Sequence, residues 1–300
     1  MRKQSRRFDD DDLDTTYEKY FSEDPEWDET PDKPEHGDRW STWDLSSPTE
    51  RGPVPYPEWL VTDLAAVDTE HGVLKTGKEA DACLVTRAIP GTNRSCMLVA
   101  KRYRSHDHRM FHRDSGYLEG RRVKESRVNR AMASRSAFGK EAIAGQWAVA
   151  EFGALCHLWN ICEQLGVKPF VPYPVQILGT EVLMEYLGTP DGTAAPRLAN
   201  VRGTDAELHD LWEQMLLALT VMARAGYTHG DLSPYNILVH EGRLMIIDLP
   251  QIVDLVANPQ GKRFLERDVH NVVTWFAARG IEGLDEASIT AELLAEAGVR

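Results

Sequence analysis

Residues 227–254 read YTHGDLSPYNILVHEGRLMIIDLPQIVD. His229, Asp231 and Asn236 fall in one turn, an apolar strand follows at 237–239, the chain reverses at Glu241-Gly242, and a second apolar run at 244–247 ends on Asp248. Such a hairpin gathers three oxygen-bearing side chains at one end. Phosphoryl transfer needs a carboxylate near the acceptor hydroxyl and oxygen ligands that hold magnesium against the nucleotide phosphates. Asp231 suits the first task. Asn236, beyond a Ser-Pro turn, and Asp248, on the adjacent strand, suit the second. Taken singly, Asp231 and Asn236 are turn formers, since Asp, Ser, Pro and Asn populate turns through local hydrogen bonding. Asp248 resists that reading, because a carboxylate ending an apolar strand would cost on the order of several kcal/mol if buried unpaired.

The corresponding parts of protein kinases are H-R-D-x-x-x-x-N and D-F-G. Here Gly230 stands in place of the Arg, and Leu249-Pro250-Gln251 follows Asp248. Taken whole, HGDLSPYNILV followed by LMIIDLPQIVD resembles the RIO family of atypical protein kinases, with a weaker similarity to small-molecule kinases of the aminoglycoside phosphotransferase kind. Pairing HGDLSxYN with an IID-x-x-Q segment favours RIO. Pro234 and Pro250 depart from the Glu and Ser usual there, and no A-P-E element is present.

Upstream, TGKEAD (76–81) lies between two expected strands. A Gly-bearing turn lets backbone amides approach phosphate, though on its own it would read as an ordinary hairpin turn. It is similar to the S/T-G-K-E-A-x phosphate loop of RIO kinases, which implies a nucleotide-contacting role for Lys78. The strand CMLVAKRY (96–103) carries Lys101 into a largely buried setting, where a lysine must find an anion or lose its charge. A helix expected over 141–165 has Trp147, Leu155, Leu158 and Cys162 along one stripe, and Glu151 on that same stripe. Lys101 and Glu151 therefore pair as the lysine and glutamate that position nucleotide phosphates in kinases. WAVAEF (147–152) also resembles a RIO segment.

Further strands are expected at 175–178 and 181–186. MEYLG (184–188) resembles the hinge between kinase lobes, which implies that backbone groups of Glu185 and Leu187 meet adenine, and APRL (195–198) matches a stretch that follows it. Thr204 and Glu207 form a capping box for a helix running to Ala225. Another amphipathic helix spans 264–278 and carries Asp268 on its apolar stripe. FLERDVHN (264–271) matches a RIO pattern in which that aspartate holds the catalytic loop. A short helix at 284–299 ends the chain.

The 300 residues carry a formal net charge of −13, unevenly spread. The acidic run at 9–12 lies in a Pro-, Ser- and Thr-rich stretch, whereas 102–140 is rich in Arg, His and Ser. Low apolar content predicts a disordered acidic tail over 1–55. The basic stretch is long for a connection within a lobe, which marks it as functional or mobile. No run has the length of a membrane helix, and the N-terminus lacks a signal-peptide core. Cys83, Cys96, Cys156 and Cys162 form no C-x-x-C pair and read as buried thiols of a reducing, cytoplasmic compartment.

The expected fold is α+β and bilobal, like a protein kinase. A β-rich N-terminal lobe covers 56–187 with a basic insertion at 102–140, and a reduced helical lobe covers 188–300. The resemblance implies ATP with magnesium, or manganese in its place. Asp231 would be the catalytic base, with Asn236 and Asp248 on the metal and Asp248 counted among the catalytic residues. Three functions fit: a serine/threonine protein kinase that phosphorylates itself or hydrolyses ATP, a small-molecule phosphotransferase, and an ATP-switched ribonucleoprotein assembly factor. The basic insertion suits RNA, a ribosomal particle, an acidic protein or an autophosphorylated serine.

Overall fold

A computed structural model describes residues 33–104 and 137–299. Its elements, in chain order, are β1 Arg39–Trp40, β2 Val67–Thr76, β3 Ala80–Ala88, β4 Ser95–Tyr103, α1 Ala137–Leu165, β5 Pro174–Leu178, β6 Glu181–Glu185, α2 Asp205–Arg224, β7 Tyr227–Thr228, β8 Ile237–His240, β9 Arg243–Ile246, β10 Val253–Asp254, α3 Gly261–Ala277 and α4 Glu286–Glu296. Six strands form an antiparallel sheet in the order β1-β2-β3-β4-β6-β5. With α1 against it, this sheet is the first lobe. The second lobe is α2, α3 and α4 with two short ladders, β8 with β9 and β7 with β10. The bilobal α+β architecture expected of a kinase is therefore present.

Local sequence accounts for most of these elements. Thr204 accepts from the Glu207 N–H while the Glu207 carboxylate accepts from the Thr204 N–H, and α2 starts on that box. Its buried stripe of Leu208, Leu211, Met215, Leu219 and Met222 packs against Leu155 and Leu158 of α1 and Val269, Val272 and Phe276 of α3 in one continuous core. The β8–β9 reversal needs positive φ at both loop residues, and Glu241 (φ 50) and Gly242 (φ 74) supply it, as a two-residue hairpin turn matched to strand twist demands.

Part of the segment assigned by composition to a disordered tail is folded. Residues 33–55 lie along the sheet as a strap: β1 pairs with β2, Arg51 bridges to Gln176 on β5, and Trp43 is 4% exposed within a core of Leu60, Val85, Leu98 and Tyr173. The aromatics of this stretch have no periodicity because they seat one at a time on a surface built elsewhere. Beneath the strap, the fully buried Arg87 guanidinium grips Asp68 (2.8 Å) and Gln176 (3.0 Å), and Gln176 donates onward to the Thr42 carbonyl (3.0 Å). Gly52 cannot be replaced there, since a Cβ would lie 1.8 Å from the Pro174 carbonyl oxygen. Residues 1–32 lie outside the described residues.

Two boundaries of the basic insertion also move. Arg102 belongs to β4, where it is paired with Glu70 and Glu181, and α1 begins at Ala137, ahead of the expected 141. Residues 105–136 are outside the described residues. Cys83, Cys96 and Cys162 are buried free thiols and Cys156 is half-buried. Among the described residues no helix is long and apolar enough to cross a membrane.

Candidate active site

A cleft of about 790 Å³ lies between the lobes, bordered by the β2–β3 turn, β4, β6 and the β8–β9 hairpin. Ala82, Val99, Met184, Leu238 and Ile247 give it apolar walls, and Lys101, Glu151, Asp231 and Asp248 supply charge at one end.

Lys101 is the hub. Its ammonium lies 2.6 Å from Glu151 Oε1 and 2.6 Å from Asp248 Oδ1. Burial alone would lower the pKa of this lysine, but the two carboxylates override burial and hold it above its ordinary value. Glu151 is 1% exposed, a position a carboxylate tolerates only when fully hydrogen-bonded. It accepts from Lys101, from the Tyr103 hydroxyl and from the Leu249 N–H (3.3 Å). One side chain of α1 thus ties β4 to the chain just past β9. Tyr103 escaped the sequence reading, although its place two residues after Lys101 puts it on the same strand face.

Asp248 adopts a left-handed conformation (φ 69), which Asp tolerates better than most residues. Desolvation in the cleft pushes its carboxyl up, and the adjacent Lys101 charge and hydrogen bond bring it below the usual carboxylate range.

The turn at 228–236 is held from below. Asp268, fully buried on α3, accepts from the Thr228 hydroxyl (2.7 Å), the Gly230 N–H (2.7 Å) and the Leu232 N–H (2.9 Å), while Asn271 donates to the Leu232 carbonyl. Gly230 sits at φ 83, a conformation disfavoured for the arginine that kinases otherwise carry at this position. His229 is buried, its Nε2 3.0 Å from the Ile247 carbonyl and its Nδ1 accepting from the Asp231 N–H (3.3 Å). A carbonyl only accepts, so Nε2 carries a proton. It joins the Asp231 turn to the segment just past β9 that carries Asp248, which the sequence alone suggests would lie on the strand itself.

Asp231 itself points into the cleft mouth, its side chain 54% exposed and 3.8 Å from the Arg267 guanidinium. Desolvation raises its pKa above the ordinary value against the opposing pull of Arg267. Asn236 donates from Nδ2 to the Asp231 carbonyl (3.0 Å), which leaves its side-chain oxygen for another partner.

Of the other expected contacts, Lys78 is exposed on the β2–β3 turn at the cleft rim. That turn is closed by Gly77 N–H to the Ala80 carbonyl (2.9 Å) and stapled by Arg104, which reaches the Gly77 carbonyl and Asp81 (both 2.7 Å). Glu185 and Leu187 border the opposite end of the cleft. The Glu185 N–H is taken by the Tyr173 carbonyl and the Leu187 carbonyl by the Ala195 N–H. Gly188 is required beside them, because a Cβ there would lie 2.4 Å from the Tyr186 hydroxyl.

A sequence profile of the RIO domain matches residues 98–289. This chain belongs to the RIO family. The RIO-type serine/threonine-protein kinase Rio1 of Haloferax volcanii is 32% identical over 216 residues, 72% of this chain and 66% of that protein. Serine/threonine-protein kinase RIO1 of Chaetomium thermophilum is 30% identical over 230 residues, 73% of this chain and 41% of its own length. The RIO-type kinase Rio1 of Thermoplasma acidophilum is 35% identical over 111 residues, 37% of this chain and 56% of that protein. The chain thus spans 66% or less of the length of these three RIO relatives. The strap at 33–55 precedes the matched RIO region.

A nucleotide and a hard cation fit the cleft. Its volume lies within the range of small-molecule sites, its apolar walls suit a base, and Lys101 suits phosphate. Among the described residues no three His, Cys, Asp or Glu side chains cluster as a metal cage. Magnesium in nucleotide enzymes is commonly held by one or two protein oxygens together with substrate phosphates, which is what Asn236 and Asp248 can offer.

Proposed function

We propose that this chain transfers the terminal phosphoryl group of ATP, with magnesium or manganese, to a serine or threonine hydroxyl, as a protein kinase. The observation that carries this reading is Lys101 held at 2.6 Å from both Glu151 and Asp248 in the cleft between the lobes. In this arrangement Glu151 orients Lys101 towards the phosphates, and Asn236 and Asp248 hold the metal, which neutralises phosphate charge when bound. Asp231 accepts the proton of the acceptor hydroxyl. Backbone groups of Glu185 and Leu187 meet the base, Lys78 approaches from the phosphate turn, and the lobes divide near Leu187. The four free thiols support a reducing compartment such as the cytoplasm.

The acceptor we favour is the chain itself, at Ser105, Ser115, Ser126, Ser134 or Ser136 of the basic segment. That segment is also where RNA or a ribosomal particle would bind. Incubation with labelled ATP followed by mass spectrometry tests this. Wild-type protein should gain phosphate on one of these serines, whereas Asp231→Asn should bind ATP and gain none. Phosphate on the Asp231→Asn protein, or turnover within a few-fold of wild type, about 1 kcal/mol of barrier, would remove Asp231 as the base.

A further inference from the structure

The cleft holds more positive charge than Lys101 alone. Lys75 on β2 stands directly opposite Ala82 on β3, and Ala82 directly opposite Lys101 on β4. Residues opposite one another in a ladder share a face, so the two lysines project from one face of the sheet, two strand spacings or about 10 Å apart. The small Ala82 between them leaves the space open, and all three line the cleft. Arg197 faces them from the second lobe. It lines the same cleft and donates from Nη1 to the Tyr235 carbonyl, next to Asn236.

These cations are not equivalent. Lys101 has two carboxylates at 2.6 Å. Lys75 and Arg197 have none within ion-pair distance among the described residues. Desolvation lowers the Lys75 pKa, and the facing Arg197 lowers it further, against the opposing pull of Asp248 and Glu79. Positive groups converging there from both lobes fit an anion of high charge. Asp231 and Asp248 at the same end would repel an acidic side chain, whereas a polyphosphate reaches the site with its own cation.

We propose that Lys75 and Arg197 grip the phosphate chain of the bound nucleoside triphosphate from opposite lobes, as a second cationic contact beside Lys101. The assignment rests on the nucleotide reading of the cleft and makes Lys75 a positioning residue that the TGKEAD turn does not include.

The test is binding at the same magnesium concentration in every sample, so that the contribution of Asn236 and Asp248 is constant. Affinities for adenosine, ADP and ATP are measured for wild type, Lys75→Gln, Lys75→Arg, Arg197→Gln and the double variant. Lys75→Gln should weaken ATP about tenfold, as loss of one charge-assisted phosphate contact does, and leave adenosine unchanged. Lys75→Arg should restore most of the ATP affinity, and the double variant should lose less than the product of the single losses. Equal ATP affinity in Lys75→Gln and wild type overturns the inference, as does an equal loss for adenosine, which would mean altered cleft shape. Failure of the wild type to bind either adenosine or ATP would instead overturn the nucleotide reading itself. Arg197 also holds the Tyr235 carbonyl, so if Arg197→Gln does not fold, Lys75→Gln alone decides.

Discussion

Two aspartates a short distance apart are pushed in opposite directions by their surroundings. Asp231 is raised by desolvation, and Asp248, desolvated as well, is brought below its ordinary value by Lys101. A protonated Asp231 cannot accept a proton, so the acid limb of kcat/KM should lie above the ordinary carboxylate pKa of about 4, and a pH-rate profile checks it. Stability responds with opposite signs. Asp248, lowered in the fold, contributes stability that is complete above its unfolded pKa and lost as pH falls through its folded one. Asp231, raised in the fold, contributes stability that is complete below its unfolded pKa and lost as pH rises through its folded one. Urea midpoints measured from about pH 6 down to 3 should therefore fall less steeply for Asp248→Asn than for wild type, and more steeply for Asp231→Asn. Both variants shifting the slope the same way would contradict the assignment. Asp268 makes a larger demand. Asp268→Ala leaves the Thr228 hydroxyl and the Gly230 and Leu232 N–H groups without their acceptor, and the loss should be about 3 kcal/mol by urea denaturation.

At the scale of elements, the strap at 33–55 carries the clearest expectation. Composition alone predicts that Trp43→Ala changes nothing. The structure places Trp43 in the core beneath the sheet, edge-on to Tyr56 at 5.1 Å and under the Arg51 guanidinium at 4.6 Å. Truncation should therefore cost about 3 kcal/mol, the scale of a buried aromatic removed from a core, read as a drop in urea midpoint with unchanged slope. An unchanged midpoint would show that the strap detaches in solution. Helix α1 has the complementary role, since its Glu151 sets Lys101 in place from the far side of the sheet. Its burial was legible from the helical stripe alone.

Across the whole molecule, the cleft is where the lobes meet, and a ligand touching both stabilises their arrangement by mass action. ATP with magnesium at 100 times its dissociation constant should add about 2.7 kcal/mol, a rise in melting temperature of roughly 5 °C for a domain this size. Asp248→Ala should keep the part of that rise seen with ATP alone and lose the part that requires magnesium. The same rise in both proteins with magnesium present would remove Asp248 from the metal site.

The family and the polar groups of the 229–248 segment were determined by the sequence itself, because their spacing is local. Asp231, Asn236 and Asp248 lie within eighteen positions joined by a hairpin whose turn residues are legible. Amphipathic periodicity likewise puts Glu151 and Asp268 on buried stripes, where a carboxylate calls for a partner. Only the tertiary structure decided the rest. Lys101 and Asp248 are 147 positions apart, and nothing local says that one ammonium is shared between α1 and the segment just past β9. The strap read as tail because its few apolar residues cannot form a core alone and become stable only against the finished sheet. Lys75 and Arg197 were silent for the same reason, since a charge gains meaning from what faces it, and they face one another only after the two lobes have packed.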